Sequence, residues 1–152
     1  MKCELYLITS KKSGFLKRES CVITFFEDEV LVTTISKEKL KELYANSKEE
    51  TKASGGGFFR QMVNASKVLS EYADKVSSMD IEEIKKENTE VIKKSSIKKL
   101  RYRNYSEVVD MENNNTSKSE GKLVLVLDNK KMKFYHNYRD KNIKEYINKY
   151  LK

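Results

Sequence analysis

The chain has 152 residues, of which 38% are hydrophobic and 36% charged, which excludes a disordered composition and suits one domain with its own core. Its 31 Lys and Arg exceed 23 Asp and Glu, a formal charge of +8. That balance admits nucleic acid, an anionic membrane or an acidic protein as partner, but we favour the simpler interpretation of a solvated lysine-rich surface. No apolar run could span a bilayer and no signal-peptide pattern opens the chain, so we expect a cytoplasmic protein.

Three strands are predicted before residue 36. The segment "CELYLI" (3–8) alternates in the manner of a strand, and "SKKSG" (10–14) has the composition of a turn. The runs "CVITFF" (21–26) and "VLVTTI" (30–35) are separated by three acidic residues, which predicts a hairpin. Cys3 and Cys21 lie in these apolar runs, and we expect both to be buried free thiols.

A helical block follows, beginning at Ser36 as a candidate N-cap. Three consecutive glycines at 55–57 then precede the strongest helical pattern, which predicts a helix from Phe58 to Val76 with one apolar stripe. The glycines would let two helices meet at an angle. A further short helix is predicted after Asp80, whose spacing from Glu83 is that of a capping box.

The second group of strands begins near residue 89. In "SIKKLRYRNY" (96–105), Leu100 and Tyr102 alternate with basic residues, so we expect these two side chains to face the core. Residues 106–121 read as a polar, asparagine-rich loop, and 122–136 as a hairpin turning at Asp128 and Asn129. A C-terminal amphipathic helix follows, with Asp140 as its cap.

Runs of strands with few helices predict an α+β fold, in which about seven strands form a bent sheet or partly open barrel and the last helix closes one end. The expected core contains apolar residues from both strand groups and the final helix. It comprises Leu5, Leu7, Val22, Ile23, Phe25, Val30, Leu31, Leu100, Tyr102, Val124, Val126, Phe134, Ile143, Tyr146 and Ile147.

This strand order, with "SSIKKLRYRNY", "GKLVLVLDNKKMKFYH" and the closing helix, resembles bacterial pleckstrin-homology-like domain proteins. The middle of the chain resembles a family in which a helical insertion, here about residues 37–88, separates the two halves of that fold. The resemblance implies a single domain over 1–152 that acts as a binding or scaffolding module. Phosphoinositide-binding relatives carry a basic motif near their first two strands, but here Glu19 stands where that motif has an arginine.

The residues give little support for an enzyme. A dyad of His136 with Cys3 or Cys21 is conceivable, but a buried thiol and a strand histidine are the simpler interpretation. No group of residues has metal-ligand spacing, and the glycine run lacks the lysine of a phosphate-binding loop, so we expect neither metal nor cofactor. The sequence therefore predicts a non-catalytic binding module.

Two binding surfaces are candidates. The stripe of the predicted helix after the glycines is either a lid on its own domain or an interface, and we expect an interface with a protein partner or a second copy. Its residues are Phe58, Phe59, Met62, Leu69, Tyr72 and Val76.

The alternative to that interface is a basic patch on which, if it converges with lysines 130, 131 and 133, any binding to anionic lipid would be weak and salt-sensitive. Nucleic acid is not expected, because Tyr102 should point away from the neighbouring arginines. The patch comprises Lys11, Lys12, Lys17, Arg18, Lys99, Arg101 and Arg103.

Overall fold

The computed structural model describes residues 2–15, 17–43, 45 and 58–152, with residues 58–66 described by their backbone alone. It is an α+β structure, as predicted. The strands are β1 Leu5–Gly14, β2 Lys17–Phe25, β3 Glu29–Ile35, β4 Thr89–Lys93, β5 Lys99–Arg103, β6 Ser106–Asp110, β7 Asn115–Ser119, β8 Gly121–Val126 and β9 Lys131–His136. The helices are α1 (residues 37–43), α2 Phe58–Ser78, α3 Ile81–Ile84 and α4 Lys141–Tyr150.

Seven strands form one antiparallel sheet in the order β4-β3-β2-β1-β9-β8-β5, and β6 and β7 form a separate two-stranded sheet. Among the described strands, β4 and β5 are edges of the large sheet, which is therefore open. Both predicted hairpins are confirmed: the Phe26 amide donates to the Glu29 carbonyl at 2.8 Å, and the Leu127 amide to the Lys130 carbonyl at 2.9 Å. The helices α1, α2 and α3 lie between β3 and β4, whereas α4 follows β9.

The chain forms two compact units, named here unit 1 (Met1–Ile8 and Glu19–Val91) and unit 2 (Thr9–Arg18 and Ile92–Lys152). Unit 1 has a core to which β2, β3, α2 and α3 all contribute. Leu69, Met79 and Cys3 pack against it while half-buried. Its fully packed members are Val22, Phe26, Leu31, Ile35, Tyr72, Ala73, Val76, Ile81 and Ile84.

The predicted helix caps have different outcomes. The Ser36 hydroxyl accepts from the Lys39 amide at 3.1 Å, so this N-cap is confirmed. Asp80 precedes α3 in an extended conformation but makes no side-chain cap hydrogen bond, so the predicted capping box does not form. The helix has only four residues, and Ile81 and Ile84 anchor it by burial instead.

In unit 2, α4 packs against β5 and buries Ile143, Ile147 and Tyr150. The Asp140 carboxylate accepts from the Asn142 amide at 2.8 Å, which confirms the predicted cap. Such a cap typically contributes about 1 kcal/mol to helix stability.

Beneath β8, the imidazole of His136 stacks on the Tyr102 ring with centroids 4.9 Å apart, and its Nδ1 accepts from the Tyr138 amide at 3.1 Å. Gly121 lies opposite His136 in the ladder, and a side chain there would overlap the imidazole. The imidazole of His136 thus occupies the space that a Cβ at position 121 would need.

Two segments differ from the prediction. Residues 10–14 are strand rather than turn, since β1 continues to Gly14, whose φ of 153° is one that side chains rarely adopt, and the chain turns at Phe15. Residues 106–119, predicted as a loop, form the β6–β7 hairpin. The Asp110 carboxylate accepts from the amides of Glu112 and Asn113, and Asn114 has a φ of 53°, so local side-chain hydrogen bonding makes this turn.

The predicted core is largely confirmed. None of its members is exposed, and only four are half-buried, namely Leu5, Leu100, Val126 and Tyr146. The expected alternation of β8 is inverted, because Leu123 and Leu125 face the core with Tyr102 and Phe134, whereas Val124 and Val126 lie on the opposite face of the strand. Cys21 is buried and Cys3 half-buried, and both are free thiols, as expected. The Cys3 thiol donates to the Leu5 carbonyl at 3.3 Å, and burial raises its pKa.

Candidate functional site

The positive charge of the chain is concentrated in unit 2. Its two segments carry 20 Lys and Arg against 7 Asp and Glu, a formal charge of +13. Unit 1 carries 11 against 16, or −5. The overall +8 therefore understates the basicity of unit 2, and a uniformly solvated lysine-rich surface does not describe this distribution. A local positive potential of this kind attracts anions.

One face of β5, β8 and β9 collects six of these cations. The ladder places Arg103 beside Lys122 and Lys122 beside Tyr135. Because side chains alternate between the two faces of a strand, every second residue of the three strands shares this face. We call it the basic face, and its cations are Lys99, Arg101, Arg103, Lys122, Lys131 and Lys133.

The other two rows of the basic face each have a valine at the centre. Val124 lies between Arg101 and Lys133, and Val126 lies between Lys99 and Lys131. The opposite face of the same strands is buried, with Tyr102, Leu123 and Phe134 pointing into the core. The alternation predicted for β5 is therefore correct, including the separation of Tyr102 from the arginines.

Two cations from the β1–β2 hairpin join the basic face at Tyr135. Lys12 Nζ lies 5.3 Å and the Arg18 guanidinium 4.9 Å from the centroid of the Tyr135 ring, with Lys122 Nζ at 5.7 Å. Ser10 pairs with Tyr135 across β1 and β9, which accounts for the approach. Each cation–π contact contributes about 0.5–1 kcal/mol at an exposed site, so the Tyr135 ring gives a modest stabilisation to each of the three cations around it.

A chain of contacts runs through Glu120 beside this cluster. The Arg18 guanidinium donates to both carboxylate oxygens of Glu120, at 2.6 and 2.8 Å, and this hydrogen bonding lowers the Glu120 pKa. The Glu120 carbonyl in turn accepts from Arg103 at 3.0 Å. The Arg18–Glu120 pair is exposed and adds little stability, but it neutralises the carboxylate that lies next to the basic face. The hydrogen bond to the Glu120 carbonyl fixes one side of the Arg103 guanidinium.

Arg103 and Lys122 are directly opposite one another on neighbouring strands. Like charges in this position destabilise a sheet. Among the described residues, no carboxylate forms an ion pair with Arg101, Arg103, Lys122, Lys131 or Lys133. These charges therefore gain no ion-pair stabilisation within the described residues, and sequences tolerate such a conflict chiefly where function requires it.

The same five cations line a cavity of about 240 Å³ over Val124. The cavity is open to solvent, and its apolar floor belongs to β8 while its rim is cationic on three strands. A rim of this type can bind a small polyanion, because several N–H donors converge while the floor excludes water from one side.

Exposed apolar side chains are also found in unit 2. Phe15 is 92% exposed at the β1–β2 turn, and Met111 is 87% exposed at the β6–β7 turn. Val108 and Val109 precede Met111 and are exposed as well. Single exposed apolar residues are common, but these lie at hairpin ends within a strongly basic unit.

A larger depression of about 740 Å³ lies in unit 1, lined by residues 2–6 and 77–80. Three of its polar side chains already have partners. The Tyr6 hydroxyl hydrogen-bonds to the Asp74 carboxylate, while Ser77 and Ser78 both donate to the Asp74 carbonyl. The Cys3 thiol at its edge has a raised pKa, which makes it a poor nucleophile. This depression offers less chemistry than the basic face.

The proposed histidine dyad gains no support from the structure. Burial, reinforced by the positive charge of Arg103, lowers the His136 pKa to about 4, so the ring is neutral at pH 7. Burial raises the pKa of the stacked Tyr102 to about 12. Both rings are packing elements beneath the basic face. Among the described residues there is also no cluster of His, Cys, Asp and Glu that could hold a metal ion.

The predicted basic patch is brought together in part. Lys99, Arg101 and Arg103 share one face, and Lys12 and Arg18 reach it through Tyr135. Lys11 is half-buried and Lys17 exposed on the same hairpin. The contributions of Lys122 and Tyr135 were missed, although the alternation of residues 122–126 carried the signal.

The apolar stripe of α2 differs from the expectation. Tyr72 and Val76 are buried in the core of unit 1, and Leu69 packs against that core while half-buried. The expectation that the stripe is incompletely covered by its own domain therefore fails for its C-terminal half. The side chains of Phe58, Phe59 and Met62, and the glycines at 55–57, lie outside the described residues.

Comparison of the chain with protein-family models, with curated proteins and with solved structures found no match in any of the three. Within the part of the chain that the structure describes, no helix has the length and apolar character needed to cross a membrane.

Proposed function

We propose that this protein is a non-catalytic binding module that attaches peripherally to anionic membrane surfaces through unit 2. The observation that carries the proposal is the basic face, six cations on three adjacent strands without a carboxylate partner among the described residues, joined by Lys12 and Arg18 at Tyr135. The cations are spread over three adjacent strands, so several of them can contact an extended anionic surface at once.

The expected strength follows from the number of cations. Each basic residue near an anionic leaflet contributes about 1 kcal/mol, and the attraction decays within a Debye length of about 10 Å at 0.1 M salt. Several cations acting together would give reversible binding that weakens as salt rises.

The exposed apolar turn favours a membrane over nucleic acid. Phe15 is three residues from both Lys12 and Arg18, so its backbone lies roughly 10 Å along the hairpin from the cations around Tyr135. An exposed phenylalanine beside lysines can enter the boundary between headgroups and acyl chains. A single-stranded nucleic acid would need free aromatic rings for stacking, but Tyr102 is buried and Tyr135 is covered by cations.

We further propose that the fold belongs to the pleckstrin-homology-like class. Three features support this assignment: the meander order of the large sheet, the pairing of β1 with the last strand β9, and the single helix α4 at the C-terminus. The helices between β3 and β4 occupy the position of an insertion between the two halves. Partner binding by α2 has less support, because Tyr72 and Val76 are already in the core.

Vesicle co-sedimentation tests the membrane proposal. We expect binding to vesicles that contain phosphatidylserine and little binding to neutral phosphatidylcholine vesicles. Replacing Lys131 and Lys133 by glutamine should weaken binding by about 2 kcal/mol, or roughly 30-fold. The control replaces Lys144 and Lys149, which are exposed on α4, by glutamine and removes the same charge.

The apolar contribution has its own matched pair. Phe15→Ser should lower binding to anionic vesicles, whereas Val91→Ser, which removes an exposed apolar side chain from unit 1, should not. Equal binding to neutral and anionic vesicles, or equal effects of the two lysine pairs, would contradict the proposal. Preferential binding of a single-stranded oligonucleotide over vesicles would assign the face to nucleic acid instead.

A further inference from the structure

We infer that the cavity over Val124 is a discrete site for a phosphomonoester, distinct from diffuse attraction to an anionic surface. The inference relies on the proposed function for its assignment of the basic face to anions. It adds a chemical class, a dianionic phosphate with three free oxygens, and a stoichiometry of one per chain. That chemistry is shared by a phosphomonoester lipid headgroup and a soluble phosphorylated molecule.

The ladder places the donors of the site around a single point. Arg101 and Lys133 flank Val124 from the two neighbouring strands, about 5 Å away on each side. Lys122 and Arg103 form the adjacent row, and Lys131 lies two residues before Lys133 on β9. Because arginine and lysine side chains are longer than the spacing between strands, their terminal groups can converge above the valine.

Part of the site is held in place before a ligand arrives. The Arg103 guanidinium donates to the Glu120 carbonyl at 3.0 Å, and Arg18 clamps the Glu120 carboxylate. One edge of the Arg103 fork is therefore occupied while its remaining N–H groups are available. A guanidinium fixed in this way binds phosphate with less loss of side-chain entropy than a free one.

The charge of the site favours a dianion. Among the residues that the structure describes, five cations and no acidic residue line the cavity. A phosphomonoester carries about −1.5 to −2 charge at pH 7 and offers three acceptor oxygens, whereas a phosphodiester carries one charge and two free oxygens. The site can therefore satisfy more N–H donors with a monoester than with the linking phosphate of an ordinary phospholipid.

A titration of the full chain with inorganic phosphate tests the site, with sodium chloride added to keep ionic strength constant. Backbone amide NMR shifts of Arg101, Lys122, Val124 and Lys133 are the readout. We expect these shifts to saturate together with one dissociation constant. Shifts that only follow ionic strength, and that chloride reproduces, would overturn the inference while leaving the membrane proposal intact, because attraction to vesicles needs no discrete site.

The decisive variant keeps the charge and changes the geometry. Arg101→Lys retains the positive charge but loses the planar fork, so a discrete site should bind phosphate about tenfold more weakly. Arg139→Lys is the matched control, since Arg139 pairs with Glu107 and lies outside the cavity. Equal affinity of Arg101→Lys and Arg139→Lys would refute a discrete site. The amide spectra themselves report whether each variant is folded.

Vesicles distinguish the two sources of the phosphate. Phosphatidic acid presents a phosphomonoester, whereas phosphatidylserine does not, and the two vesicle types can be matched in surface potential. Stronger binding to phosphatidic acid that Arg101→Lys abolishes would assign the site to a lipid headgroup. Equal binding to both, together with saturable phosphate binding, would assign it to a soluble phosphomonoester. Absence of vesicle binding with saturable phosphate binding would refute the membrane proposal and retain the site.

Discussion

Replacing Gly121 by alanine should destabilise unit 2 through a single contact. An alanine Cβ would overlap the imidazole of His136, which lies across the glycine in the ladder. The ring cannot move freely, because it stacks on Tyr102 at 4.9 Å and its Nδ1 accepts from the Tyr138 amide at 3.1 Å. The substitution therefore forces at least one of these interactions to break.

The magnitude follows from what is displaced. Losing the ring stack costs about 0.5–1.5 kcal/mol and losing the hydrogen bond a similar amount. Alanine restricts the unfolded chain and returns about 0.4–1 kcal/mol. The net loss should be about 1–2 kcal/mol, which for a chain of this length lowers the melting temperature by roughly 2–8 °C.

Urea unfolding followed by circular dichroism measures this loss, and His136→Ala supplies the control background. With the imidazole removed, the same Gly121→Ala substitution should cost little or become stabilising. The difference between the two backgrounds is the coupling energy of the contact. An identical cost in both backgrounds would show that the imidazole is not the obstacle and would refute the reasoning.

Two other predictions concern stability. Burial lowers the folded-state His136 pKa from 6.5 to about 4, so the unfolded chain binds more protons between these pH values and stability should fall as the pH drops from about 6.5 to 4. Urea midpoints measured across this range should depend less steeply on pH for His136→Phe than for the parent. An unchanged pH dependence would contradict the assignment to His136. Val76→Asp should unfold unit 1, because it places a charge in a fully buried position. The control Lys75→Asp, on the exposed side of α2, should have a melting temperature close to that of the parent. A Val76→Asp protein that stays folded and loses only self-association would show that the α2 stripe is an interface.

The sequence predicts the elements whose signals are local. Alternation placed Leu100 and Tyr102 on the core side of β5, and the 3.6-residue period with Asp140 as cap located α4. The β6–β7 hairpin escaped notice because its residues are all exposed, so no apolar alternation marks it, and its turn depends on Asp110 hydrogen bonds that composition does not reveal.

The candidate site was predicted only in pieces. Lys12 and Arg101 are far apart in sequence, and their membership of one surface depends on the pairing of β1 and β5 with β9 and β8. Lys122 was overlooked because it begins a strand dominated by valine and leucine, whose apolar residues drew attention to the core. What the apolar stripe of α2 packs against also depends on tertiary structure. An amphipathic pattern shows that one face of the helix is covered but does not show what covers it.

Both cysteines lie in unit 1, and neither presents a reactive thiolate in the folded protein: Cys21 is fully buried, and burial holds Cys3 protonated. Alkylation of the fully buried Cys21 therefore requires local opening of unit 1, whereas the half-buried Cys3 is slowed only by its raised pKa; unit 2 contains no thiol at all. A pulse of a thiol-specific reagent, read by mass spectrometry, would count openings of unit 1 separately from those of unit 2. The native chain thus carries its own chemical reporter of local opening in unit 1.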